Sequence, residues 1–345
     1  MKAIHIMMVF MVILFMVALA INTSSAKSFA QGGSDPLDIS VALIWEGEAL
    51  SSINKESLSA FRQKFSAAKM IHFISPVYFT RAVKDSRIRE NELAKALELI
   101  GKDDVVGIYL NGWKSITESA GVSFRNSPTF WGNTLSPRQC LDDCGREVLM
   151  TAYPADDLRK IIRKSRALFA KNGFGNATIM QVAGNAAGPA VLGAASAEGI
   201  THDFSAIAVE LLAPRLYRYP LRQQLNDLWS GVGPLMRPFE LKAGNGTLTQ
   251  MTANGLNLEF MSETEITARL DAMMGSGDIA PPKTPATRHL YIGVSMETFA
   301  ISQPKLEFSL QEVFRRSSEM KGSLRWTAEN ISKINGALGA SDSTH

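Results

Sequence analysis

The chain has 345 residues, of which 46% are hydrophobic and 20% are charged, and this composition is typical of a globular protein. The formal net charge is only +3 and no Lys/Arg-rich run is present, which argues against nucleic-acid binding. The sequence contains neither a phosphate-binding loop nor a dinucleotide fingerprint, so we expect no dinucleotide partner.

The N-terminal segment 1–26 has the pattern of a secretory signal peptide. Lys2 precedes an apolar run at 6–21, and small and polar residues follow this run. Cleavage after Ala26 or after Ala30 would satisfy the small-residue rule. We therefore expect a periplasmic or secreted protein. An uncleaved membrane anchor is the alternative, although the run is short for a bilayer span of about 20 residues.

A single domain is predicted over 38–335, between a linker at 27–37 and a flexible tail at 336–345. Strands and helices alternate along this domain, which favours a parallel α/β sheet. The strands are predicted at 39–44, 70–75, 105–110, 177–182, 247–260 in short pieces, 289–294 and 324–327. The helices are predicted at 55–65, 91–100, 156–172, 220–229, 263–274 and 310–320, with one more opened by Pro189, and a loop is predicted at 276–285.

A long irregular insert at 115–153 interrupts this alternation. It is rich in Gly, Pro, Asn and aromatic residues, and a loop of this length inside a compact domain is usually functional. The insert holds the only two cysteines, Cys140 and Cys144. In an exported chain such a close pair favours a disulfide, whereas two thiols alone lack the further ligands that zinc needs.

Polar side chains capable of chemistry lie near the predicted carboxyl ends of the strands. Glu46 follows the first strand, and Tyr109 and Asn111 end the third. Residues two apart on a strand share a face, so we expect Tyr109 and Asn111 to lie side by side. The other residues of this kind are Gln181, Asp203, Ser295 and Glu297.

Many short motifs resemble, in the same order, those of the NodB-type polysaccharide deacetylases, most closely a periplasmic branch of them. The motifs are Ala187-Gly188-Pro189, Asp203-Phe204-Ser205-Ala206, the aromatic insert with its cysteine pair, and Gly293-Val294-Ser295-Met296-Glu297-Thr298. The resemblance spans about 38–327. It implies a distorted (β/α) barrel of the glycoside hydrolase/deacetylase type, with a site at the carboxyl ends of the strands.

This chain departs from the family pattern where the relatives carry chemistry. The family uses a divalent metal held by two His and an Asp, an Asp base and a late His acid. Here Tyr109 and Asn111 occupy the metal-binding His positions. Gln181 replaces an Arg, and Ser295 replaces the late His. Glu46 retains an acidic position. The resemblance therefore implies no metal site and the loss of the usual metal-dependent mechanism.

We expect the protein to bind an envelope or extracellular polysaccharide, with other envelope polysaccharide-export or modification proteins as further partners and with no cofactor. The aromatic residues predicted to stack on sugar rings are Trp45, Trp113, Phe130 and Trp131. The polar residues predicted to line the same binding site are Tyr109, Asn111, Gln181, Ser295 and Glu297.

Two enzymatic alternatives stay open. One is an active carbohydrate esterase that removes N- or O-acetyl groups through a non-standard site with Glu46 and Asp203, and only this alternative calls for a divalent metal. The other is a metal-free glycoside hydrolase with a carboxylate pair about 5–10 Å apart, in which Glu46 works with Asp203 or Glu297. A serine hydrolase is disfavoured because no G-x-S-x-G motif is present.

Overall fold

The computed structural model describes residues 36–81, 93–140, 143–212, 220–275, 288–320 and 323–332. The predicted signal peptide, the flexible tail, the loop predicted at 276–285 and most of the linker lie outside the described residues. Within the described ranges, no helix has both the length and the apolar character needed to cross a membrane.

Strands and helices alternate over most of the described chain, as predicted. The strands are β1 Leu37–Trp45, β2 Met70–Ile74, β3 Val105–Leu110, β4 Ile179–Val182, β5 His202–Asp203, β6 Phe239–Ala243, β7 Gly246–Gln250, β8 Gly255–Asn257, β9 Arg288–Ser295 and β10 Leu324–Trp326. The helices are α1 Ser52–Lys64, α2 Lys114–Ser119, α3 Ala155–Lys171, α4 Pro189–Ala197, α5 Pro220–Trp229, α6 Glu263–Gly275 and α7 Phe299–Met320. Residues 93–97 are also helical.

The strands form one curled sheet in the order β6-β7-β5-β4-β3-β2-β1-β9-β8, and β10 pairs with the beginning of β1. All neighbouring strands are parallel except β6 and β7, which form an antiparallel edge pair. In the described part of the chain, no pairing joins β6 to β8. The fold is a distorted, open (β/α) barrel, which confirms the predicted fold class.

Three elements differ from their prediction. Helix α2, Lys114–Ser119, lies at the beginning of the segment predicted as an irregular insert. β6 was not predicted, and its antiparallel pairing with β7 follows from the tight Gly244–Gly246 connection, since Gly244 adopts a positive φ of 61°. Helix α7 begins at Phe299 instead of at 310 and passes through Pro304. The helix persists beyond the proline because Leu306 and Leu310 are fully buried in the core.

The sheet separates two apolar layers. The outer layer lies between the sheet and the helices and includes Val41, Leu43, Met70, Ile108, Met180 and Leu248. The inner layer fills the concave side of the sheet and includes Ala42, Ile71, Phe73, Tyr109, Ile179 and Tyr291. Because neighbouring residues of a strand alternate between these layers, an inner-face residue at the end of a strand faces the mouth of the barrel.

The helices cover the outer face with apolar stripes. In α3, Leu158, Ile161, Ile162 and Phe169 recur at helical spacing and are buried. Acidic residues occupy the first turn of α3 and Lys171 its last turn, as favoured by the helix dipole. Pro189 occupies the first turn of α4, as predicted.

The insert 115–153 is irregular but well packed. It contains two 3-10 turns and an isolated antiparallel bridge between Thr129 and Val148. The disulfide between Cys140 and Cys144 confirms the predicted pair. Next to it, the Asp143 carboxylate accepts hydrogen bonds from the N–H and hydroxyl of Ser115, so the insert is tied to the first turn of α2.

Candidate functional site

The candidate site lies at the mouth of the barrel, where four strands end. Ser295 is the register partner of Ile44, which places the end of β9 beside Glu46. Tyr109 in β3 is the register partner of Gln181 in β4, so both side chains lie on the inner face of the sheet. The structure thus brings together polar residues that lie up to about 250 positions apart in the sequence.

Glu297 is the acceptor at the centre of the site. Its Oε1 atom accepts hydrogen bonds from the backbone N–H of Glu46 at 2.9 Å and from the Tyr78 hydroxyl at 3.1 Å. Its Oε2 atom accepts from the Ser295 hydroxyl at 2.9 Å. Three protein donors therefore point at the two oxygens of this carboxylate. The same contacts place Glu46 and Glu297 side by side.

Glu46 has a different environment from Glu297. Its side chain is 28% exposed, and Arg146 lies 3.8 Å from its Oε2 atom. Burial and the nearby charge of Glu297 raise the pKa of Glu46 to about 7, against the opposing effect of Arg146. Glu46 therefore exchanges its proton near neutral pH, which makes it the carboxyl group of this site most suited to donating or accepting a proton.

Asn111 and Trp113 hold the backbone at Glu46. The carbonyl oxygen of Glu46 accepts hydrogen bonds from Asn111 Nδ2 and from Trp113 Nε1, both at 2.8 Å. Asn111 Oδ1 also accepts from the Ser75 hydroxyl at 2.8 Å. Gly47 follows with a φ of 106°, and a Cβ there would lie 2.2 Å from Val77 Cγ1, so only glycine fits this turn.

A second set of polar groups lines the inner face. The Tyr291 hydroxyl donates to Gln181 Oε1 at 2.9 Å. Neither the Tyr109 hydroxyl nor Gln181 Nε2 makes a hydrogen bond to any residue that the structure describes. Burial raises the pKa of Tyr109, and the charge of Glu46 raises it further. These unused donors are available to a ligand.

Three contributors to the site were not identified from the sequence. Tyr291 shares its face with Ser295 at a spacing of four along β9, so period-two alternation alone would have found it. Tyr78 and Arg146 carry no comparable signal, because they reach the acids from a 3-10 turn and from the irregular insert.

Two predicted site residues lie on the other face of the sheet. Asp203 is in register with Met180 of the outer layer and accepts hydrogen bonds from the hydroxyl (2.7 Å) and N–H (3.2 Å) of Ser205. Trp45 is fully buried and donates its indole N–H to His72 Nδ1 at 3.2 Å. The predicted catalytic role of Asp203 and the predicted sugar stacking by Trp45 are therefore corrected: neither side chain faces the barrel mouth.

The other aromatic residues predicted to stack on sugar rings divide in the same way. Trp113 is only 3% exposed and lies under the Arg81 guanidinium, so its predicted role in sugar stacking is also corrected to a structural one. Phe130 is partly buried against the inner layer. Trp131 is 51% exposed, which leaves it as the aromatic residue of the insert with a ring accessible to a ligand.

The side chains at the barrel mouth do not fit a divalent transition metal. Among the described residues, no group of three or more His, Cys, Asp or Glu side chains is placed to hold an ion. Both polar atoms of the Asn111 amide are used within the scaffold, and Tyr109 is a phenol whose pKa is raised. Neither group is a normal ligand for such a metal.

Comparison with known proteins gives structural neighbours only. The chain matches no protein family and no curated protein sequence. A protein assigned as a polysaccharide deacetylase from Mycobacterium smegmatis superposes with a TM-score of 0.44 and 8% identity, over 86% of this chain and 95% of that one. The peptidoglycan deacetylase PdaC from Bacillus subtilis superposes with a TM-score of 0.33 and 9% identity, over 91% and 99% of the two chains.

An exo-type maltose-forming amylase from Pyrococcus sp. ST04 superposes with a TM-score of 0.47 and 7% identity, over 88% of this chain. The match spans about half of that amylase, 49% of its length. Superpositions of this quality carry no argument about activity or substrate. The functional assignment therefore rests on the side chains of the chain itself.

Proposed function

We propose that this protein is an exported polysaccharide-binding protein with a deacetylase-like barrel that works without the usual metal-dependent deacetylase chemistry. The observation that carries the proposal is the set of hydrogen bonds made by the Asn111 side chain. At a position where the resemblance places a metal-binding His, both polar atoms of its amide are hydrogen-bonded, Oδ1 to the Ser75 hydroxyl and Nδ2 to the Glu46 carbonyl oxygen. A position that has become part of the scaffold is not available to a metal.

The remaining surface of the site suits a sugar. Saccharides present many hydroxyl groups, which donate and accept hydrogen bonds, and apolar ring faces, which stack on aromatic rings. Tyr109 and Gln181 offer donors that have no protein partner in the described chain. Trp131 offers an exposed ring on the insert. We propose an envelope or extracellular polysaccharide as the ligand, and polysaccharide-export or modification proteins as partners.

The test is calorimetric titration of the mature protein with a panel of envelope-type oligosaccharides, with and without EDTA. Saturable binding that is unchanged by EDTA is the expected result. Absence of binding across the panel would remove the proposal. Binding that requires an added divalent metal would instead point to the esterase alternative and to ligands other than those at the barrel mouth.

A second candidate function is metal-free glycoside hydrolysis by Glu46 and Glu297. The observation in its favour is that two adjacent carboxyl groups have different environments, since Glu46 has a pKa of about 7 while Glu297 accepts three hydrogen bonds. A carboxyl group that exchanges its proton near pH 7 suits the role of a general acid. However, both oxygens of Glu297 are engaged by the protein, which disfavours its attack on a sugar and makes binding the better-supported function.

Two product assays separate these functions. Release of new reducing ends, abolished by Glu46→Gln, would support glycoside hydrolysis. Release of acetate from acetylated amino-sugar polymers would support the esterase. Neither product, in the presence of tight glycan binding, is the result expected for the proposed binding protein.

A further inference from the structure

A cavity of about 390 Å³ lies at the seam of the barrel, where the chain passes from β7 to β8. Segment 207–212, which follows β5, forms one wall of this seam cavity, and the end of β8 together with helix α6 forms the other. Over the described ranges no pairing joins β6 to β8, so the sheet leaves the seam open. The volume lies within the range of small-molecule pockets, about 300–1,000 Å³, so the seam has room for a ligand.

The lining of the seam cavity is mainly apolar. Its larger apolar contributors are Ile207, Leu211, Leu212, Phe260 and Met261, together with Ala268 of α6. The charged side chains of the lining are Glu210, Glu265 and Arg269, and the Glu265 carboxylate accepts hydrogen bonds from the N–H and the hydroxyl of Ser262. Because two carboxylates stand against one guanidinium, the cavity does not favour an anionic ligand such as a fatty acid. It suits an uncharged, apolar group.

The seam cavity adjoins the candidate site. Gly255 lines the cavity and is the register partner of Tyr291, whose hydroxyl donates to Gln181. A Cβ at Gly255 would lie 2.1 Å from the carbonyl oxygen of Tyr291, so the cavity wall packs directly against β9. Ile207, on the opposite wall, packs against the inner layer that contains Tyr109. One ligand of moderate length can therefore occupy the cavity and the barrel mouth together.

We infer that the seam cavity binds the alkyl or acyl chain of an amphiphilic saccharide whose sugar part lies at the barrel mouth. This inference rests on the proposed polysaccharide-binding function and names its ligand class, a saccharide that carries a lipid-like chain. Apolar walls bury methylene groups through the hydrophobic effect, which needs no directed polar groups. A peptide would instead place backbone N–H and C=O groups against these walls at a cost. The volume holds about a dozen groups the size of a water molecule, which suits a chain of roughly eight to ten carbons.

The test is a chain-length series measured by isothermal titration calorimetry below the concentration at which the probes form micelles. The probes are methyl, hexyl and octyl β-glucoside, with octyl triethylene glycol as the chain without a sugar. Each methylene moved from water into the cavity should tighten binding about threefold, so octyl β-glucoside should bind about tenfold more tightly than hexyl β-glucoside. Equal affinities for these two glucosides, or for octyl β-glucoside and octyl triethylene glycol, would overturn the inference.

A further probe distinguishes the two sources of such a chain. N-octanoylglucosamine carries the chain on its amine, as in an acylated polysaccharide, whereas octyl β-glucoside carries it at the reducing end, as in a lipid-linked saccharide. The tighter of the two identifies the position of the chain, and either order supports the inference. Failure of both to bind more tightly than methyl β-glucoside would overturn it.

Variants that fill the cavity locate the chain. Ala268→Trp introduces a large side chain at an exposed position of α6 that lines the cavity, and it should abolish the tenfold gain. Ala272→Trp fills the same cavity one turn later and provides a second variant should the first fold poorly. Ala170→Trp is the matched control, since it makes the same change at an exposed position of α3, and it should keep the gain. A gain that persists in both cavity variants would overturn the inference.

The same titrations separate this inference from the proposed function. If the envelope-type oligosaccharides bind and the chain adds no affinity, polysaccharide binding stands and the inference fails. If neither the oligosaccharides nor any glycoside binds, both fail.

Discussion

The backbone N–H of Glu46 donates a 2.9 Å hydrogen bond to the carboxylate of Glu297. This hydrogen bond joins Glu46, which follows β1, to Glu297, which lies just after β9. It fixes the two acids side by side at the open end of the barrel. Glu297 also accepts hydrogen bonds from Tyr78 and Ser295, and burial together with the charge of Glu297 raises the pKa of Glu46 to about 7. A substitution of Glu297 is therefore expected to change the pKa of Glu46.

The first prediction is that Glu297→Gln lowers the pKa of Glu46 below its value of about 7. Burial is the largest cause of the raised pKa and remains in the variant, whereas the charge of Glu297 is the second cause and is removed. The pKa should therefore fall without reaching the ordinary value of 4.5. Titration of side-chain carboxyl carbons by NMR measures it, with Glu46→Gln to assign the resonance. An unchanged midpoint would show that Glu297 exerts no charge effect on Glu46.

The second prediction concerns Asn111. Asn111→Ala should lower the free energy of unfolding by about 2 kcal/mol, because the buried Ser75 hydroxyl and the Glu46 carbonyl oxygen each lose a partner. Tyr109→Phe is the matched control, since it removes a buried polar group of the same face that has no protein partner among the described residues. It should change the free energy by less than about 0.5 kcal/mol.

Urea denaturation of both variants measures this difference. A fully stable Asn111→Ala protein would mean that Asn111 does not support the scaffold, which would weaken the argument against a metal at this position. Loss of stability in Tyr109→Phe would show instead that its hydroxyl has an internal partner. Either result would change the role assigned to Asn111 or to Tyr109 in the candidate site.

The alternation of strands and helices predicted a parallel α/β sheet, whereas the distorted barrel was predicted only by the resemblance to the deacetylase family. A period of two predicted Tyr109 and Asn111 on one face, and in the structure Tyr109 is in register with Gln181. Ser295 and Glu297 were likewise found at the end of a long strand. Long strands give a reliable choice of face, since each residue is constrained by its neighbours.

The same reasoning could not place Asp203 or the tryptophans. β5 contains only His202 and Asp203, which is too short for any alternation to show which face is buried. An aromatic residue at a strand end suits both a core and a sugar platform, and Trp45 is fully buried. Arg146 reaches Glu46 from an irregular insert, where no periodicity exists.

The third prediction concerns the buried polar cluster between β2 and α1. Asp104 accepts hydrogen bonds from Met70 N at 2.8 Å and from His72 Nε2 at 3.1 Å, and it also pairs with Arg62. Trp45 donates to the other ring nitrogen of His72, so the imidazole is neutral. Asp104→Asn breaks a buried ion pair and should lower the free energy of unfolding by about 3 kcal/mol.

The exposed ion pair between Lys64 and Glu307 provides the control for this variant, because the Lys64 side chain is 52% exposed. Lys64→Ala should lower the free energy of unfolding by less than about 1 kcal/mol. Equal effects of the two substitutions in urea denaturation would show that the Asp104 cluster is no more important than a surface pair. The Asp104 cluster would then not be the main polar contact between α1 and β2.

The fourth prediction is a loss of stability between pH 5 and pH 8 that depends on Asp203. Burial raises the pKa of Asp203 from 3.8 to about 7, in spite of its hydrogen bonds from Ser205. Between these values the folded state binds more protons than the unfolded state, so the free energy of unfolding decreases as the pH rises. The contribution of this carboxyl between pH 5 and pH 8 is about 2.5 kcal/mol.

Asp203→Asn should remove that contribution, so the variant loses less stability than the wild type over the same range. Glu46→Gln should remove a separate contribution of the same sign, because the pKa of Glu46 is also raised to about 7. Asp156→Asn makes the same chemical change on the exposed surface of α3 and controls for the substitution itself. Urea denaturation of all four proteins at pH 5, 6.5 and 8 measures the slopes. If Asp203→Asn keeps the wild-type slope, Asp203 is ionised in the folded protein, and the outer layer must then contain a cationic partner or solvent that stabilises its charge.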